Sequence, residues 1–78
     1  MVVTRLEKVV SDETVTLLDH LDYENLSARE RRIIKPIKDI AIQAINNLHD
    51  GPELKTGLRK LIEAKDCFCR AAKGITAS

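Results

Sequence analysis

Residues 27–52 read SARERRIIKPIKDIAIQAINNLHDGP, and this stretch decides the fold. It opens on Ser27-Ala28-Arg29-Glu30, a capping box in which the serine oxygen and the glutamate carboxylate each satisfy an amide that a helix start leaves without a partner. A helix from about Ala28 to His49 is predicted. At about 100° per residue, Ile33, Ile37, Ile40, Ala44 and Leu48 share one stripe, Ile34, Ala41 and Ile45 widen it, and Ile42 extends it further. That arc is broader than one partner helix covers. Pro36 removes a backbone donor and crowds the preceding turn, which predicts a kink or a break near Lys35.

Downstream, Asp50-Gly51-Pro52 punctuates the chain. Pro52 suits a first helical turn and Glu53 favours the helix dipole, so a helix of about 22 residues is expected to run to Gly74. Leu54, Leu58, Leu61, Ile62, Phe68, Cys69 and Ala72 form its apolar face, with Gly57, Ala64 and Ala71 as a column of small residues on the flank. The short link makes the two helices antiparallel neighbours, an αα-hairpin. Upstream, residues 1–22 place apolar side chains at Leu6, Val9, Val10, Leu17, Leu18 and Leu21, and Ser11 offers a cap. The β-branched residues leave three forms open there: one helix, two short helices or a partly extended arm. The expectation is an all-α single domain over 1–78, made of an N-terminal segment 1–22, a helical hairpin 23–74 and a tail 75–78.

A chain of 78 residues buries a core worth only roughly 3–5 kcal/mol of net stability. Self-association is the expected supplement, because Cys67 and Cys69 are too close together to close a useful loop and no metal quartet accompanies them. Reduced thiols fit a cytoplasm. The start MVVTRLEKVV lacks a secretory signal and no run of about 18 apolar residues could span a bilayer, so the protein is expected in the cytosol, with no membrane partner. A net charge of +1 argues against a general nucleic-acid coat. With one Phe, one Tyr and no Trp, the core must come from aliphatic side chains, which suits closely packed helices and singles out Tyr23.

Several residues bear on binding. Arg31, Lys35 and Lys38 fall on one side of the second helix beside the apolar arc; they form either a solvated basic face or a phosphate site. Tyr23 precedes the capping box, where its ring either staples the helix start or stacks on a planar ligand. Arg70 lies on the outer face of the third helix, four residues after Asp66, in position for a surface ion pair. Lys65 projects within the apolar arc, so its stem snorkels or it faces an oligomer interface. His20 and His49 read as surface histidines, and the two sulfurs, about 200° apart on a helix, cannot share a ligand. No phosphate loop, nucleophile elbow or carboxylate pair is present. Neither catalysis nor a cofactor is expected.

Taken together, Tyr23-x-x-Leu26-Ser27-x-x-Glu30, then Ile37-Lys38, then Leu61-x-x-Ala64-x-x-x-Phe68-Cys69-Arg70-Ala71 resemble the bacteriophage anti-CBASS type 2 family over roughly residues 23–73. The resemblance implies a homohexamer of helical hairpins, built from dimers, that sequesters the cyclic nucleotides of a bacterial CBASS defence inside the host cell. The ligands would be cyclic dinucleotides and, in separate pockets, cyclic trinucleotides, none of them cleaved. Matched by position, Tyr23 would stack on a base and Lys38 would contact phosphate in the dinucleotide pocket, while Arg70 would serve the trinucleotide pocket. Pro36, Ile40 in place of a small polar contact, and the long segment 1–22 depart from the family pattern.

Two other classes compete. A structural or adaptor hairpin that binds another protein would give weight to Lys65 and the small-residue column. A DNA-binding regulator would use Arg31 to Lys38 on phosphate, against which stand the near-neutral charge and the lack of a compact helix-turn-helix.

Overall fold

The computed structural model describes residues 5–74. They form three helices, α1 (Asp12–Asp19), α2 (Ala28–Asn47) and α3 (Pro52–Ala72). The starts follow the capping chemistry. Ser11 Oγ accepts from the Thr14 amide at 3.3 Å, and the Ser27–Glu30 box is complete, with both bonds at 3.2 Å. Pro52 begins α3 behind Gly51, and beyond its last residue, Ala72, and its cap, Lys73, the chain turns at Gly74, whose φ of 77° is a left-handed conformation that glycine adopts without steric cost. The tail 75–78 lies outside the described residues, as do residues 1–4.

Of the kink or break expected near Lys35, the break does not occur: α2 runs through Pro36 as one helix. Pro36 is exposed, so the carbonyl left without an amide donor is within reach of water. The helix is also held on both sides of the proline by buried Ile34 upstream and Ala41, Ile42 and Ile45 downstream. Packing outweighs the local penalty.

The buried face of α2 is not centred on the expected stripe. Ile34, Ala41 and Ile45 are fully buried, whereas Ile33, Ile40 and Leu48 remain 47%, 56% and 54% exposed. The inward direction is rotated by about 90° from the Ile33–Leu48 line. The cause is tertiary: α1 packs from one side, so Leu18 and Leu21 join Ala41, Ile42, Ile45, Leu54 and Leu58 in one core. α3 lies antiparallel to α2, as Lys73 at its end, 3.9 Å from Glu30 in the first turn of α2, makes plain.

Residues 5–11 form an irregular, non-helical arm ahead of the one short helix α1, as far as the N-terminal segment is described. The Asn46 side-chain amide donates to the Arg5 carbonyl (2.9 Å) and its oxygen accepts from the Glu7 amide (2.8 Å), so one side chain satisfies two backbone groups of the arm. Lys8 donates to the Leu48 carbonyl at 2.7 Å. At the α2–α3 link, Asp50 accepts from the Ser11 amide (2.9 Å) and from the hydroxyl of fully buried Thr14 (2.6 Å). Lys55 lies 3.9 Å from Asp50, and Arg59 donates to Glu13 at 2.6 Å.

These bonds make the fold acid-sensitive. The Thr14 hydroxyl, then the Ser11 amide, hold the Asp50 carboxyl below its ordinary value, and the Ser27 hydroxyl and amide do the same for Glu30. A depressed folded pKa contributes stability that is present above the unfolded value near about 4 and lost as pH falls through the folded one. The urea midpoint is expected to hold from neutral pH to about 5 and to fall below about 4. In Asp50→Asn, which loses the titration, the fall should be shallower; an equal fall in both proteins would remove Asp50 from the account.

Candidate functional site

The chain reverses between α1 and α2 over residues 20–27, and this corner gathers the residues with binding chemistry. The turn is wound by bonds from the Leu21 amide to the Leu18 carbonyl (2.9 Å) and from the Asp22 amide to the Asp19 carbonyl (3.2 Å), and fully buried Leu21 anchors it. Lys65 reaches over from α3 and donates to the carbonyls of His20 (2.7 Å) and Asp22 (2.9 Å). Its stem crosses the apolar face and its cation meets the carbonyl end of α1, where positive charge is favoured. Lys65 therefore snorkels within its own chain.

Tyr23, half-buried, leads out of this turn, and Lys38 stands on the third turn of α2 with its Nζ 5.8 Å from the centre of the Tyr23 ring. That is cation–π distance. The same ammonium is ion-paired with Asp22. The sixteen-residue gap between Asp22 and Lys38 gave no local signal for this pair. A ring, an ammonium and an exchangeable carboxylate form a surface that can take a planar base together with an anion, provided the anion displaces Asp22.

The other cations do not converge on this corner. Arg31 turns to the loop and donates from Nε to the Leu26 carbonyl at 3.0 Å, and Lys35 is exposed. Arg70 lies five residues beyond Lys65 and about 140° round α3, which places it apart from the Tyr23–Lys38 corner. Its guanidinium is 3.3 Å from the Cys67 sulfur, in place of the expected bond to Asp66. An exposed pair of this kind gains only a few tenths of a kcal/mol, too little to overcome side-chain entropy.

Two features escaped the sequence reading. Glu30 is buried, not merely a capping residue; its Oε2 has no hydrogen-bond partner among the described residues and lies 3.9 Å from the Lys73 ammonium, with the Cys69 thiol nearby. Burial first, and the Glu30 carboxylate second, push the Cys69 thiol up, which keeps it protonated at neutral pH. At the opposite end of the α2–α3 pair lies an apolar groove of about 460 Å³, lined by Ala44, Leu48, Leu54, Gly57, Leu58 and Leu61. No group of three metal-ligating side chains occurs among the described residues, and none of their helices is long and apolar enough to cross a membrane. The chain matches no family model, no curated protein and no solved structure.

Proposed function

We propose that this protein is a cyclic-oligonucleotide sponge that blocks CBASS antiphage immunity in the cytoplasm of an infected bacterium, binding its ligand without cleaving it. The observation that carries the reading is the Lys38 ammonium 5.8 Å from the centre of the Tyr23 ring. A base stacked on the tyrosine brings its phosphate within reach of the lysine, and the residues come from the positions that the family resemblance marks. A cyclic dinucleotide has near two-fold symmetry, so an oligomer of the chain, a hexamer on the resemblance, presents the pair twice to one ligand. Stacking contributes about 1–3 kcal/mol per base. Arg70, on a separate face, belongs to a second pocket for cyclic trinucleotides.

Titration calorimetry with both ligand classes tests this. Tyr23→Ala and Lys38→Ala are each expected to weaken cyclic dinucleotide binding by about 1–3 kcal/mol per contact. Arg70→Ala should weaken only the trinucleotide, by about 1.5–3 kcal/mol per contact. Competition between the two ligands would merge the pockets into one. Absence of binding by the unaltered chain would favour the second reading, an adaptor hairpin that binds protein, which the exposure of Ile33, Ile40, Leu48 and Phe68 supports.

A further inference from the structure

The Tyr23–Lys38 corner carries an anion of its own. Residues 19–24 hold three carboxylates, at Asp19, Asp22 and Glu24, and Asp22 is the one ion-paired with Lys38. Its main chain is fastened on both sides: the amide donates to the Asp19 carbonyl at 3.2 Å, and the carbonyl accepts from Lys65 of α3 at 2.9 Å. A short side chain on a backbone so held stays close to the ammonium even when a ligand breaks the pair. The two other cations that reach this turn are engaged on main-chain carbonyls, Lys65 on those of His20 and Asp22, and Arg31 on that of Leu26. An anion that enters beside Tyr23 therefore meets one ammonium and one carboxylate, a pair with no net charge.

Such a pair distinguishes phosphates by the charge they bring. A phosphodiester carries one negative charge, whereas a terminal phosphate carries about 1.5–2 at neutral pH. Facing Lys38 alone, the more highly charged group would bind better, because the ammonium attracts each charge. With Asp22 tethered beside the lysine, the carboxylate repels the additional charge and removes that advantage. Asp22 is 56% exposed, so the water-like end of the Coulomb range applies. One further charge about 5 Å away then changes affinity by about fivefold, and salt screens the effect.

We infer that Asp22 is a specificity determinant of this corner: it admits phosphodiesters and holds back terminal phosphates, so that a cyclic nucleotide binds in preference to a linear one of the same bases. The inference rests on the nucleotide-binding reading above and adds to it the class of phosphate that the site accepts. Every phosphate of a cyclic dinucleotide is a diester. Hydrolysis of one of them opens the ring and leaves a linear dinucleotide with a terminal phosphate. The bases of that product still stack on Tyr23, so attraction by the ring does not separate the two ligands, and the repulsion from Asp22 does.

Titration calorimetry on the full chain tests this with two ligands of the same bases, a cyclic dinucleotide and its linear counterpart bearing a 5′-phosphate. Asp22→Asn keeps the shape of the side chain and both main-chain bonds while it removes the charge. It is expected to shift the ratio of the two affinities toward the linear ligand by about fivefold at low salt, and by less as salt is raised. Glu24→Gln removes a charge from the same turn without touching Lys38, and should move the ratio by less than about twofold. A ratio that stays fixed in Asp22→Asn, or moves as far in Glu24→Gln, while the cyclic ligand still binds, would overturn the role of Asp22 and leave the nucleotide reading standing. Failure of the unaltered chain to bind the cyclic ligand would overturn the nucleotide reading and, with it, the role of Asp22.

Discussion

Ile45→Ala is expected to cost about 2–5 kcal/mol, comparable with the whole of the roughly 3–5 kcal/mol of net stability that a core of this size supplies. Ile45 is fully buried at the centre of the core that α1, α2 and α3 share, so its loss leaves a cavity that the neighbouring helices cannot close. Ile33→Ala removes a side chain that is 47% exposed. Its cost should be about half as large or less. Urea unfolding of both variants checks this. Equal losses would mean that the two faces of α2 are equivalent.

Pro36→Ala is the substitution expected to act most strongly in the other direction. A proline inside a helix is less favourable than alanine by about 3 kcal/mol, and the restriction it places on the unfolded chain returns at most about 1 kcal/mol. The net gain should be about 2 kcal/mol, a rise of roughly 10 °C in the unfolding midpoint for a domain of this size. Because Pro36 is exposed, the methyl group of alanine meets no obstacle in the core. A melt followed by circular dichroism that showed no rise would mean that the missing amide bond carries no penalty here.

The helices were legible because their signals are local. Ser11, the Ser27–Glu30 box and Pro52 each act within one turn, and the observed helices start where they indicate. What α2 buries was not legible in the same way. Its apolar residues extend over more than half the circumference, so periodicity alone cannot choose between the Ile33–Leu48 line and the Ile34–Ile45 line; the position of α1 chooses. Pro36 does not break α2, since buried residues on both sides of it hold the helix together.

The candidate site divides along the same boundary. Tyr23 stood out as the lone tyrosine beside the capping box and Lys38 by its place at the edge of the apolar arc, and they do meet. Asp22 as the lysine's counter-ion, and Lys65 as the clasp over the His20 and Asp22 carbonyls, depend on contacts between residues far apart in the chain. Nothing in the spacing of those residues encodes them.

The arm's fastenings have a consequence for the order in which the molecule assembles and opens. The bonds from Arg5, Glu7, Lys8, Ser11 and Thr14 to Asn46, Leu48 and Asp50 join residues 36 to 41 positions apart, whereas α2 and α3 are joined by a four-residue link. Closing the longer loops costs more chain entropy, and their receiving groups are positioned only after α2 has ended and the link has turned. The arm is therefore the last part to dock and the first to peel away, and the Glu7 and Ser11 amides should exchange with solvent deuterium well before those of α2 around Ile45. The arm should work as a latch on a finished frame, releasing residues 5–11 while the paired helices stay closed.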